Sequence, residues 1–443
     1  MKKDTRLKNH SAKWFTGLLA GASMAVISSS SAFAGPLEEE LAFLLETHPQ
    51  LNISRQGIIA ADSGIDAANS GFLPVVSLNG DLGWEHTDND DLVGPYDTDR
   101  YSASVEVRQN LYRGNKTTAS VEAAEAQRSL ADLDLSYVQQ QLLFEGIVAY
   151  LNVERFGFLQ LLSEDNEKNL KQQLRLEDER VERGAGIEVD VLQAKSRLQR
   201  AVERRVAVEG SLKEARARYL QVFGKTPDES GAFEAVPPLE RLPQTLDDAL
   251  KIAGENNLQL KNSKEQVRVA EAQKQVYEAD YAPSLDAVAR YKWEKDIDGT
   301  EGTERSFFGG LEMKWEVFSG FLTDAQVNQA SARHNAALSS VQYATQKVEE
   351  EVRVAWRALK TAQEREALLE NAVNIAAEVF IARQKLREGG KETAINVLDA
   401  ENEFYAARIA QVSASYEARA AVYRVLLSVG ELTPDNLGVV TPN

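Results

Sequence analysis

Cysteine is absent from all 443 residues, so disulfides cannot hold this chain together and a lipid-bearing N-terminal cysteine is excluded. Proline is scarce where it matters. None occurs between Tyr96 and Thr226 or between Ser284 and Thr433, whereas Pro227, Pro237, Pro238 and Pro243 fall together. From Phe321 to Glu388 there is neither glycine nor proline, and a helix of that length would approach roughly 100 Å, far beyond an ordinary globular helix. No stretch after the N-terminal segment has the apolar length of a membrane-spanning helix, so a helix-bundle membrane protein is excluded. Histidine is nearly absent too. His10 lies in the N-terminal segment, and His48, His86 and His334 have no ligand-like spacing, so the chain reads as holding no metal or other cofactor. No nucleophile elbow, phosphate loop or paired catalytic carboxylates stand out, which argues against an enzyme.

What is present begins with an export address. Lys2, Lys3, Arg6, Lys8 and Lys13 precede an apolar core from Trp14 to Ile27, and Ala32-Phe33-Ala34 supplies a small-x-small cleavage pattern, so residues 1–34 read as a removable signal peptide. Without them the chain carries 45 basic against 67 acidic residues, a balance of −22 that makes nucleic acid an unfit partner.

The uninterrupted run ends at LREGGKETAINVLDA, Leu386 to Ala400, where Gly389-Gly390 stops one helix and a second begins near Thr393. The same hairpin occurs earlier, with its turn at Gly184 and Gly186 in VERGAGIEVDVLQA. Gly184 precedes Gly390 by 206 residues, and the same interval separates Asp190 from Asn396, Gly224 from Gly430, and Gly114 from Gly320. Four landmarks in one register indicate a tandem duplication. Residues 35–224 are the first repeat, 225–245 a proline-rich linker or collar, 246–430 the second repeat and 431–443 a tail. Each repeat opens with a helix, read as a single element from Leu37 past His48-Pro49 in the first, and offset by 209 in the second.

Between that helix and the long hairpin the period changes to two. Val76, Leu78, Leu82 and Trp84 alternate with polar residues, as do Tyr101, Ala103, Val105, Val107 and Leu111, predicting two strands within 74–112. Leu285 to Trp293 and Phe307 to Val317 predict two more within 283–318. Aromatics gather at two levels: Phe72, Tyr112, Tyr281 and Phe318 at one, Trp84, Tyr101, Trp293 and Phe307 at the other. Length, alternation and aromatic ends together predict outer-membrane barrel strands, with Trp84, Tyr101, Tyr112, Trp293, Phe307 and Phe318 at the membrane interfaces. A half-buried sheet of a soluble domain alternates in the same way. The long acidic loops EHTDNDDLVGPYDTDR and EKDIDGTEGTERS weigh against it, since they suit an exposed face. Four strands cannot close a barrel, so several copies must combine. Eight strands would leave a lumen filled by side chains, and twelve would leave a passage.

The duplicated order of helix, Leu73-Pro74 or Ala282-Pro283 step, two strands, long helix, glycine turn and return helix, with INVLDAENEFYAAR in the second copy, resembles the TolC family of outer-membrane export ducts over nearly all of the mature chain. The fold class this implies is an α+β membrane protein, a trimeric outer-membrane β-barrel with four strands per chain continuing into a long periplasmic α-helical barrel. The resemblance also implies the partners: outer-membrane lipid, a periplasmic adaptor (membrane fusion) protein, and an inner-membrane ABC exporter or a proton-driven pump. By position, Asp399 and Asn396 fall where the family has an acidic pair lining the narrowed tip, and Asp190 where it has an acid tying neighbouring helices shut. Their i, i+3 spacing sets Asn396 and Asp399 on one helical face. The chain departs from the family in having Asn396 for one acid and Glu392 where the basic tie stands, with Lys391 and Arg387 nearby. The turns at Gly184, Gly186, Gly389 and Gly390 are then the adaptor-docking tips. The function implied is an exit duct for type I protein secretion, the missing lipidation cysteine leaning that way. The alternatives are the exit duct of a multidrug or small-molecule efflux pump, and a surface coiled-coil structural protein.

Overall fold

The computed structural model describes residues 36–88, 96–228, 235–298 and 300–439. The expected signal peptide, and part of the first acidic loop, lie outside them.

The chain enters through α1 (Pro36–Thr47) and α2 (Pro49–Asn69), two helices where the sequence reading expects one. Pro49 is the cause. It cannot donate to a continuing ladder and holds His48 extended (φ −68°, ψ 127°), and the His48 ring then caps α2 by accepting from the Gln50 N–H. Strands β1 (Val75–Thr87) and β2 (Tyr96–Arg113) follow, then α3 (Lys116–Glu182) and α4 (Glu188–Phe223). After the proline-rich segment the order repeats as α5 (Leu246–Asn256), α6 (Leu258–Glu278), β3 (Ser284–Ile297), β4 (Thr300–Lys314), α7 (Leu322–Glu388) and α8 (Ala394–Val429). Apart from α1 and α5, with 12 and 11 residues, matching helices agree in length. Both α3 and α7 have 67 residues, both α4 and α8 have 36, and both α2 and α6 have 21.

The strands form one antiparallel sheet in the order β1-β2-β3-β4. Its two faces differ chemically. One carries Leu78, Leu82, Trp84, Phe307, Leu311 and Met313, all at least 65% exposed. The other carries ion pairs: Arg100 binds Asp81 and Glu85, and Arg290 and Arg108 share Glu106, with Arg108 reaching Asp286 and Glu312 as well. Two details differ from the sequence reading. Leu111 is the extra residue of a bulge, because the pairing Asn110–Asp286 is followed by Tyr112–Leu285. The bulge returns Tyr112 to the apolar face after the polar Gln109. And β4 ends at Lys314, so Trp315, Val317 and Phe318 lie beyond it; the Trp315 indole instead donates to the Tyr281 carbonyl, and Phe318 packs edge-on against Phe321.

The main core lies where α1 crosses α3 and α4, joined by α7 and α8. Leu41, Leu44, Ile147, Tyr150, Tyr219, Leu359, Tyr423 and Leu426 are all 2% exposed or less. The last turn of α8 is pinned there by buried amides, Gln140 donating to the Gly430 carbonyl and Asn257 to that of Ser428, both at 2.9 Å. A separate, small cluster lies near the far turns, where Leu170, Ala194, Ala201 and Leu398 join α3, α4 and α8. Among the described residues no helix is long and apolar enough to cross a membrane.

Candidate constriction at the helical tips

Both long helices end in the same way. After α7, Gly390 takes the left-handed conformation (φ 71°) that a side chain would resist, and its N–H bonds to the Arg387 carbonyl while that of Lys391 reaches back to Leu386, each at 2.9 Å. Gly184 and Ala185 make the matching bonds to Val181 and Arg180 after α3. Gly389 is the last residue before that turn and Gly186 the last glycine before α4, so the four glycines form two compact loops.

The α7–α8 loop is organised by Glu392. One carboxylate oxygen accepts from the Asn396 side chain at 2.5 Å and from the Thr393 N–H at 3.0 Å. These two bonds, the Asn396 one foremost, hold Glu392 below the usual carboxylate range. Thr393 caps α8 by accepting from the Asn396 N–H. Asn396 is therefore engaged within its own loop. Asp399, three residues on, is exposed and accepts from Arg197 of α4 at 2.7 Å. Asp190 stands in the first turn of α4, where a carboxylate complements the helix dipole, with no ion-pair partner among the described residues. Arg387 is bound to the buried carboxylate of Glu177 on α3, and burial lowers its pKa. The structure thus joins Asn396 with Glu392, Asp399 with Arg197, and Arg387 with Glu177. Lys391 contributes backbone only.

Sequence reasoning missed a polar seam behind these residues. Along α3, Asn169, Gln173 and Glu177 follow at i, i+4 and i+8. They meet Tyr405 (2.7 Å), Glu401 (2.5 Å) and Arg387 respectively, and so link the first hairpin to the second. Glu401 is 1% exposed and burial pushes its pKa up to about 7, against the opposing hydrogen bond from Gln173. The amide oxygen of Gln173, Oε1, is buried without a donor among the described residues. A protonated Glu401 carries the O–H that this oxygen lacks. The 4-residue spacing on α3 was visible; its partners, more than 200 residues away, were not.

A one-faced apolar sheet continuous with helices roughly 100 Å long defines a class, the outer-membrane channel with a periplasmic helical domain. The sequence profile of the family described as "Outer membrane efflux protein" matches residues 42–225 and again 249–431, and the chain belongs to that family. Among relatives, the chain is 26% identical over 415 residues to the outer membrane efflux protein BepC of Brucella suis biovar 1, covering 94% of this chain and 89% of that one. It is 24% identical over 428 residues to the alkaline protease secretion protein AprF of Pseudomonas aeruginosa, covering 93% and 88%. Among solved structures, the outer-membrane channel OprN superposes with a TM-score of 0.77 at 20% identity, covering 89% of each chain. Members of the family are the outer-membrane components of tripartite pumps.

Proposed function

We propose that three copies of this chain close a twelve-stranded barrel and form the exit duct for type I protein secretion, fed by an inner-membrane ABC exporter through a periplasmic adaptor. The observation that carries the reading is the open sheet. Four strands leave one edge of β1 and one of β4 unpaired among the described residues, beneath an apolar face that water would not cover. Trp84, Tyr101, Trp293 and Phe307 lie on that face, each two rows further along β2 than the last by register. With about 3.3 Å per residue and strands about 4.8 Å apart, such a diagonal on strands tilted by roughly 40° runs within about 15° of level around a barrel, close to what a membrane-interface girdle requires, with Tyr112 and Phe318 near the opposite rim. Equal helix lengths and a family profile that matches twice support a tandem duplication.

In this reading the turns at Gly184, Gly186, Gly389 and Gly390 meet the adaptor, and three Asp399 carboxylates ring the axis. Each is drawn towards Arg197, so opening that pair would expose the ring. Asp399→Ala is expected to lower cation selectivity and divalent-ion block in single-channel recordings; unchanged values would remove Asp399 from the conduit. The likeness to AprF, a secretion protein by name, favours polypeptide export. The likeness to BepC, an efflux protein by name, favours a second reading, small-molecule efflux with an ABC or proton-driven pump. Comparing the secreted proteins and drug sensitivity of a deletion strain with those of its parent separates them. Raised sensitivity with an unchanged secretome overturns the first.

A further inference from the structure

A trough runs along α8 where that helix lies between α3 and α7. Glu417, Ala420 and Arg424 face it, on the side of α8 away from Ala418, Val422 and Val425, which are in the core. Because α8 runs opposite to its two neighbours, the lining falls into levels. Nearest the tips are Arg155 of α3, Glu417 and Arg365 of α7; at the other end are Phe144 of α3, Arg424 and Arg357 of α7. The volume is about 580 Å³, within the range of small-molecule pockets.

The charge in it is uneven. Four guanidiniums meet one carboxylate, and that carboxylate, Glu417, is taken by Arg365 at 2.7 Å. Among the described residues Arg155, Arg357 and Arg424 have no ion-pair partner, in a chain whose formal charge is −18. Arg424 lies over the Phe144 ring, 5.8 Å from its centre, and Arg155 over that of Phe156 at 4.5 Å, so both present cationic edges beside apolar walls. The Nε of Arg155 is buried and donates to no acceptor among the described residues. A buried N–H without an acceptor is costly, and an anionic oxygen is the acceptor that a guanidinium binds most strongly.

We infer that this trough binds a small amphipathic organic anion, its apolar body against Phe144, Val148 and Leu151 and its carboxylate or sulfonate accepting from Arg155. The inference rests on the trough's own residues and stands whether the cargo of the duct is polypeptide or small molecule.

The absence of cysteine makes a clean test available. In the full mature chain, extracted in a non-ionic detergent, Thr361→Cys places a single thiol midway along the α7 wall. An anionic methanethiosulfonate is expected to label it about tenfold faster than a cationic one, and 1-anilinonaphthalene-8-sulfonate to protect it saturably. Arg155→Gln is expected to weaken that protection about tenfold while Arg155→Lys, which keeps the charge and a donor, largely retains it. Equal labelling by both reagents, or protection indifferent to Arg155→Gln, overturns the inference. A thiol that neither reagent reaches also overturns it, since a second copy of the chain would then cover the trough.

Discussion

Single residues fix where the long elements stop. Gly430 ends α8 at φ 81°, and a Cβ placed there would lie 2.5 Å from the Asn256 carbonyl oxygen. Gly184 has a similar φ of 74° but open space around it. Gly184→Ala therefore meets only the left-handed penalty of about 1 kcal/mol, whereas Gly430→Ala adds a clash with backbone that cannot rotate away. Thermal unfolding should show Gly430→Ala lowering the midpoint several times more than Gly184→Ala; equal shifts would mean that α8 does not dock on Asn256. Both glycines were legible as helix ends. Their unequal surroundings were not, because Asn256 approaches Gly430 only in the folded chain.

Between elements the decisive contacts are polar. The Arg387–Glu177 link joins α7 to α3 through a carboxylate side chain only 3% exposed, while Arg197–Asp399 joins α4 to α8 through one that is 58% exposed. Solvent weakens the second far more than the first, which suits the opening proposed for the Arg197–Asp399 pair. Glu401 adds a pH dependence whose sign is fixed. Its carboxyl is pushed up to about 7 in the folded chain, so between pH about 4.5 and 7 the folded state holds a proton that the unfolded state has lost. Stability contributed at this seam is then greatest at acid pH and falls as pH rises, by roughly 3 kcal/mol once both states are ionised. The groups facing Glu401 are Gln173 on α3 and Tyr405 on its own helix, and no guanidinium or ammonium among the described residues pairs with it to offset the loss. Amide hydrogen exchange near Gln173 and Glu401, corrected for intrinsic rates, should quicken from pH 5.5 to pH 8 in the wild type and not in Glu401→Gln. An identical pH response in the variant would discard this account. Apart from the break at Pro49, a local signal read through as one helix, the elements were plain in the sequence, since periods of two and of about 3.6 name strand and helix directly. What escaped was each place where a partner from a distant segment decides. The alternation through Leu111 gave no sign of the bulge that β3 imposes, and Asp399 gave no sign of Arg197.

For the molecule as a whole, the proposal of three copies predicts which edges meet. Gly80→Cys on β1, combined with single cysteines scanned from Arg305 to Met313 on β4, should yield under oxidation a covalent trimer on denaturing gels at one or two β4 positions, with no background thiol to confuse it. Monomer at every position would break the barrel reading and leave the apolar sheet face to be covered in another way. The alternative of a surface coiled-coil structural protein has no place for that face, which carries leucine and tryptophan side chains in the open.

The matched lengths of α3 and α7 make the chain its own ruler. Sixty-seven residues in each put both turns level, so a ring of six such turns would present a flat rim to whatever seals against it. Removing two heptads from both hairpins, from the outgoing and returning helices alike, should shorten the reach by roughly 20 Å yet keep the rim even. Taking them from only one hairpin should make it jagged, and adaptor binding measured on the two variants would tell whether evenness or absolute length is what the docking partner senses.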